Sequence, residues 1–212
     1  MSQSASPFTR SKHHNNLFTW VVLAALSLVV LVYILFFRGV PSGPVGKLSP
    51  AVGRKLGPFQ VEPMLGTTQT VTNADLAGKV VLIDYWGPRC PPCKMELPEL
   101  VRVAEMFKSR SDFLFLPISC PMSAEADELD SLKADTEMFL SHIRATTPTY
   151  QLNAEAIKAM ELYNLDEVAV TSLPTTVIID QHGVIRGKWP GYREGYPRQV
   201  ADLLAELLGP SK

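Results

Sequence analysis

The chain has 212 residues, of which 46% are hydrophobic and 19% are charged, and its formal net charge is −1 at pH 7. This length and composition exclude a disordered chain and indicate one sizeable packed domain, or one domain with an additional segment. Residues 1–44 contain three basic and no acidic side chains, so the remaining residues hold 17 basic against 21 acidic ones. A mildly acidic body excludes nucleic-acid binding through a basic surface. Three cysteines are too few for a disulfide scaffold.

The first predicted element is the apolar run Leu17–Phe37, which contains no charge, proline or glycine. As a helix its 21 residues would measure about 31 Å, which matches a hydrocarbon core of about 30 Å. The alternative is a cleaved signal peptide, but that needs a shorter apolar region and a small-residue cleavage site. We therefore expect a single uncleaved transmembrane helix, preceded by an N-terminal tail over residues 1–16. Basic residues are nearly balanced across it, so the positive-inside rule leaves its orientation open.

Residues 38–55 are rich in proline and glycine, which predicts a semi-rigid linker before a domain over residues 56–212. In this domain the hydrophobic pattern predicts strands and helices that alternate along the chain. After a short hairpin near residues 59–71, the predicted strands cover residues 79–85, 113–119, 175–180 and 184–189. The predicted helices follow Cys93 and cover residues 123–143, 153–163 and 195–208. This order implies a mixed sheet with helices on both faces.

The most informative motif is Cys90-Pro91-Pro92-Cys93, which opens a predicted helix directly after a buried strand. Helical N–H groups and the helix dipole stabilise an anion there, so the pKa of the Cys90 thiol should be lowered. Cys93 lies one turn further in and should be more buried, with its sulfur within disulfide reach. Half of a zinc site is the alternative, but no second pair of Cys or His ligands follows at a suitable spacing. The motif therefore favours a redox pair without a bound metal.

Two longer segments extend this interpretation to a family. Val81–Lys94 resembles the active-site strand and loop of the thioredoxin superfamily, and Ser172–Asp180 with Gly183–Ile185 resembles its cis-proline strand and hairpin. The anchor, the linker, the Cys-Pro-Pro-Cys motif and Met95–Pro98 are closer to its membrane-anchored TlpA/ResA-like branch. The resemblance covers roughly residues 56–209 and implies an α/β thioredoxin fold, a mixed central sheet flanked by helices. It also implies thiol–disulfide exchange without a cofactor, on the periplasmic side of the cytoplasmic membrane.

The resemblance implies a set of site residues around the cysteine pair. Its catalytic members are Cys90, Cys93, Asp84 and the cis-proline Pro174, and its substrate-binding members are Trp86, Arg89, Pro91, Pro92 and Leu173. Arg89 stands where the family commonly has an aromatic residue, and a permanent cation there should stabilise the Cys90 thiolate. Asp84 stands where the anchored branch often has an amide. We interpret it as a buried proton acceptor for Cys93, in preference to an aspartate that only forms hydrogen bonds.

The third cysteine, Cys120, follows the predicted strand Phe113–Ser119 and should lie on the active-site side of the sheet. Three interpretations are open for this thiol: an auxiliary redox centre, part of a Cu(I) site with Cys90 and Cys93, or an inert buried side chain. A free cysteine most often behaves as a small hydrophobic residue, which favours the inert interpretation.

Two functions from different classes follow. The first is a membrane-anchored oxidoreductase that reduces disulfides in extracytoplasmic proteins such as apocytochrome c and receives electrons from a membrane donor. The alternative is a Cu(I) chaperone of the same fold, but the relatives with that role have cysteines three residues apart and a downstream histidine. A peroxidase of this fold needs the loop Pro-x-x-x-Thr/Ser-x-x-Cys. Ile83 and Gly87 stand at its first two defined positions, which excludes that reaction.

Overall fold

The computed structural model of the protein describes residues 19–28, 45–122, 126–152 and 172–210. The chain divides into two compact units, Met1–Ser42 and Gly43–Lys212. In the first unit residues 19–28 are helical, and the rest of the predicted transmembrane run lies outside the described residues. Within the described part of the chain, no helix is long and apolar enough to cross a membrane.

The second unit is built on a mixed sheet, which has seven strands among the described residues. They are β1 (Gln60–Leu65), β2 (Val71–Thr72), β3 (Val80–Trp86), β4 (Phe113–Ser119), β5 (Thr149–Gln151), β6 (Thr175–Ile179) and β7 (Ile185–Pro190). Side by side they lie in the order β2-β1-β5-β4-β3-β6-β7. The central strand β3 is parallel to β4 and antiparallel to β6.

Helices cover both faces of this sheet: α1 (Asn73–Leu76), α2 (Pro91–Glu105), α3 (Ala126–His142) and α4 (Tyr196–Leu208). Side chains of β3 alternate between the two faces because the side-chain period of a strand is two residues. Val80 and Leu82 join the core against α2 and α4. Val81 and Ile83 join the core on the opposite face, which includes α1. This alternation places the even-numbered residues of β3 towards α2, where the cysteines are.

Most of the predicted elements have their counterparts in the structure. The strand predicted over residues 113–119 is β4, the predicted hairpin is β6–β7, and the last predicted helix is α4. The helix predicted over residues 153–163 lies outside the described residues. Strand β5 was not predicted, because a strand of three residues is too short for a periodic pattern.

Residues 45–55, which we name the edge strap, belong to the predicted semi-rigid linker, but backbone hydrogen bonds hold them against the sheet. The N–H of Gly46 donates to the carbonyl of Lys188 at 2.6 Å, and the N–H of Lys188 donates back at 3.2 Å. Two more backbone hydrogen bonds of 2.9 Å join the strap to Ile185. A Cβ on Gly46 would lie 2.9 Å from the Trp189 indole nitrogen, so glycine serves close packing here. The strap thus pairs with β7 at the edge of the sheet.

Candidate active site

The two cysteines lie at the N-terminus of α2 and form a disulfide, with their Cα atoms 5.3 Å apart. Cys90 is the N-cap residue, and its Sγ accepts a hydrogen bond from the Cys93 N–H at 3.3 Å. Pro91 and Pro92 occupy the first two helical positions, where their lack of an N–H removes no helical hydrogen bond. The structure therefore describes the oxidised protein, with the first sulfur held at the positive end of the helix.

Both sulfur-bearing side chains are covered in this form. Cys90 is 2% exposed and Cys93 is fully buried, so the difference in exposure expected from the sequence is small in the disulfide state. They pack in a cluster with Trp86 and Leu97, against which Leu173 also lies.

The Leu173–Pro174 peptide bond is cis, which confirms the prediction from the motif. This bond precedes β6, the antiparallel neighbour of β3. A Cβ built on Gly87 would lie 3.5 Å from Leu173 Cδ1 and 3.6 Å from Cys90 Cβ. The side chain of Leu173 and the first cysteine are therefore neighbours, with a glycine between them.

Two carboxyl groups are buried behind the cysteine pair. Asp84 is fully buried, and neither of its carboxylate oxygens has a hydrogen-bond partner among the described residues. Glu96, in α2, is 1% exposed, and its Oε1 accepts a hydrogen bond of 2.6 Å from the Thr176 hydroxyl. Asp84 and Thr176 stand opposite each other on β3 and β6. All three side chains therefore lie on the α2 side of the sheet.

Burial raises the pKa of both carboxyl groups, because an apolar environment disfavours the charged form. The pKa of Asp84 lies well above its ordinary value, through burial first and the negative charge of Glu96 second. Burial raises the pKa of Glu96 to about 7, against the lowering effect of the Thr176 hydrogen bond. At neutral pH this pair can take up or release a proton within the protein.

Glu96 is a candidate functional residue to which the sequence analysis assigned no role. It follows Cys93 by one helical turn and lies on the buried face of α2, with Leu97 and Leu100. Burying an ionisable residue where the helical pattern requires an apolar one is costly, so its presence there points to a functional role. That mismatch, together with the distance of one turn from a reactive cysteine, is the signal that could have found it.

Arg89 is placed on the rim of the site, and its guanidinium is held by α3. Its Nε donates to Asp135 Oδ2 at 2.8 Å, and a terminal nitrogen donates to Ser131 Oγ at 2.7 Å. The carboxylate of Asp135 offsets the positive charge of Arg89. Stabilisation of the Cys90 thiolate by this arginine therefore stays a prediction, and the ion pair reduces the size we expect for it.

Cys120 follows β4 and is 1% exposed, with its thiol 3.6 Å from the Ile118 carbonyl. Burial raises the pKa of this thiol strongly, and the negative charge of Asp84 adds to the effect. The thiolate that reactivity requires is thereby disfavoured, which agrees with the inert interpretation. Among the described residues, no group of three or more His, Cys, Asp or Glu side chains could hold a metal ion.

A cysteine pair that opens a helix after the central strand, beside a cis-proline loop, defines a thiol–disulfide oxidoreductase of the thioredoxin fold. The chain belongs to the AhpC/TSA family, whose sequence profile matches residues 52–188. In this chain Cys90 is paired with Cys93. Ile83 and Gly87 stand where the peroxidase loop has its proline and its threonine or serine. The site of this chain is therefore a site for disulfide exchange.

Named relatives have the same activity. The thiol:disulfide interchange protein DsbE of Pseudomonas aeruginosa is 26% identical over 190 residues, which cover 89% of this chain and 94% of that protein. The thiol-disulfide oxidoreductase ResA of Halalkalibacterium halodurans is 24% identical over 152 residues, with 72% and 74% covered. A crystal structure of a thioredoxin-family thiol:disulfide interchange protein from Chlorobium tepidum has a TM-score of 0.54 at 23% identity, covering 73% of this chain and 96% of that one. The last comparison shows the shared fold.

Proposed function

We propose that this protein is a membrane-anchored reductant of disulfides in extracytoplasmic proteins, with apocytochrome c as a candidate substrate. The observation that carries the proposal is the Cys90–Cys93 disulfide at the N-terminus of α2, beside the Leu173–Pro174 loop. The names of the DsbE and ResA relatives support the exchange reaction. The apolar run Leu17–Phe37 supports the anchor, and a membrane donor of electrons would return the pair to its reduced form.

The reaction begins from the reduced dithiol. The Cys90 thiolate attacks one sulfur of the substrate disulfide, which breaks as the second substrate sulfur leaves as a thiolate. The Cys93 thiolate then attacks Cys90 Sγ, and the first substrate sulfur leaves as a thiolate. The substrate has gained two electrons, and the protein holds the Cys90–Cys93 disulfide seen in the structure. The N–H of Cys93, which already donates to Cys90 Sγ, stabilises negative charge on that sulfur.

Cys93 must lose a proton before it can act as the second nucleophile. Glu96 lies one helical turn further along α2, and its pKa of about 7 lets it accept this proton at neutral pH. Asp84, buried behind the pair, can share the proton because its carboxyl group also favours the neutral form. In this mechanism Asp84 acts as the predicted proton acceptor for Cys93, and Glu96 shares that role.

Cysteine substitutions test the proposal directly. Cys93→Ser should accumulate covalent complexes with substrate proteins through Cys90, because the second nucleophile is missing. Cys90→Ser should abolish exchange, and Cys120→Ala should leave both the exchange rate and the trapping unchanged. Non-reducing electrophoresis and mass spectrometry identify the complexes and the bonded cysteine. Complexes formed through Cys120 would contradict the assignment.

The orientation of the anchor requires a separate measurement. A reporter that is active only in the periplasm should be active when it is fused after Lys212. Activity from a cytosol-dependent reporter at the same position would reverse the proposed topology.

A further inference from the structure

A groove lies beside the disulfide, between the start of α2 and helix α3. Its volume is about 640 Å³, within the range of sites that hold a small molecule or a few side chains. Residues from both sides line it, among them Pro88, Arg89, Lys94, Asp135, Met138 and Phe139. Arg89 directly precedes Cys90, so the groove borders the residue next to the attacking cysteine.

The groove offers apolar surface to a partner. The Phe139 ring is half-buried, and its centroid is 5.6 Å from that of the Trp86 ring. Next to it, Met138 is 68% exposed although it is a large hydrophobic residue. A methionine side chain is flexible and adapts to partners of different shape. One large apolar side chain of a partner therefore fits against these two residues.

The charges of the groove favour an acidic partner. Arg89 is already paired with Asp135 at 2.8 Å. The exposed Lys94 places its ammonium nitrogen 5.8 Å from the centroid of the Phe139 ring, a cation–π contact. No salt bridge found among the described residues joins Lys94 to a carboxylate.

We infer that this groove binds the segment of a substrate protein that flanks its reactive cysteine, and that it selects an apolar side chain together with a carboxylate. The apolar side chain packs on Phe139 and Met138, and the carboxylate pairs with Lys94. This inference rests on the proposed function, since it supplies the specificity of the same exchange reaction. Docking in the groove then holds the substrate disulfide beside Cys90 before the first attack.

The test uses the reduced full-length protein in detergent micelles and short peptides, each with one cysteine in a disulfide with nitrothiobenzoate. The Cys90 thiolate attacks the peptide sulfur, and nitrothiobenzoate leaves as a coloured thiolate that reports the rate. Cys93 then displaces the peptide thiolate as the Cys90–Cys93 disulfide forms. One peptide has leucine and aspartate beside its cysteine, a second has serine and aspartate, and a third has leucine and lysine.

The wild-type protein should react about fivefold faster with the leucine–aspartate peptide than with the leucine–lysine peptide, as an exposed ion pair allows. Lys94→Glu should reverse this preference. The matched control Lys133→Glu should preserve it, because Lys133 is an exposed lysine two residues from Asp135 and so lies on the far side of α3. The ratio of the two rates cancels any effect on thiol reactivity itself. Met138→Ser should reduce the preference for leucine over serine.

Two kinds of failure can be distinguished. Equal rates with all three peptides, or an unchanged ratio in Lys94→Glu, would overturn the groove as a docking site and leave the proposed function intact. Absence of reaction with the peptides and with a small neutral disulfide would refute the proposed function, and the inference with it.

Discussion

Replacing the buried carboxyl group of Glu96 by an amide should stabilise the protein at high pH and slow its reaction. The pKa of Glu96 is about 7 instead of the ordinary 4.5. Between these values the unfolded state is ionised while the folded state still holds its proton, so stability falls as pH rises. The difference corresponds to about 3 kcal/mol, lost in full above about pH 7. Glu96→Gln removes this loss. Between pH 4 and pH 8, the free energy of unfolding of the variant should therefore rise by about 3 kcal/mol relative to that of wild type.

The measurement is urea unfolding of residues 43–212, the second compact unit, at a series of pH values from about 4 to about 8, a window set by the two pKa values. Glu105→Gln is the matched control, because Glu105 is an exposed glutamate at the other end of the same helix. Its stability should follow the wild-type curve. Equal pH dependence in Glu96→Gln and wild type would show that Glu96 ionises as it does in the unfolded chain, and the reasoning would be refuted.

The same substitution tests the role of Glu96 in catalysis. If Glu96 accepts the Cys93 proton, Glu96→Gln should slow the release of the substrate thiol by roughly 100-fold near neutral pH, the lower end of what general base catalysis contributes. The first attack by Cys90 should be little affected, since it precedes that proton transfer. A variant that is more stable at high pH and slower in the second step would indicate a residue retained for reactivity at a cost in stability.

Two further substitutions probe the surroundings of the pair. Thr176→Val removes the hydrogen bond that lowers the pKa of Glu96, so the pH profile of the exchange rate should move to higher pH, and Thr176→Ser should restore it. An unmoved profile would show that the hydroxyl does not tune the acid. Gly87→Ala would place a Cβ 2.9 Å from the Cys120 carbonyl oxygen, which belongs to rigid backbone. Urea unfolding should show a loss of about 1–3 kcal/mol, and wild-type stability would mean that this loop shifts freely.

The sequence predicts the fold well where the pattern is long and apolar. The run that became β3 begins with four consecutive fully buried apolar residues, and such a run allows few alternatives to a central strand. The resemblance of the motif around Pro174 to the cis-proline strand of the thioredoxin superfamily predicts the cis bond, which proline permits at low cost. In contrast, composition predicted a semi-rigid linker over residues 38–55 without its pairing to β7, since glycine and proline density does not distinguish a tether from a segment with tight turns.

The site was predicted only as far as its motif extends. Cys90 and Cys93 are only three positions apart, so the sequence alone brings them together. The hydrogen bond between Thr176 and Glu96 joins residues 80 positions apart, and the ion pair between Arg89 and Asp135 joins residues 46 apart. No local pattern specifies such contacts, because they depend on how the helices pack on the sheet.

The edge strap determines where a soluble fragment of this protein should begin. A fragment that starts at residue 56, the boundary taken from composition, would leave β7 with unpaired backbone groups and would uncover Trp189. Exposed strand edges pair with other chains, so that fragment should self-associate at the concentrations used for spectroscopy. A start at residue 43 retains the whole strap and should give a monodisperse sample.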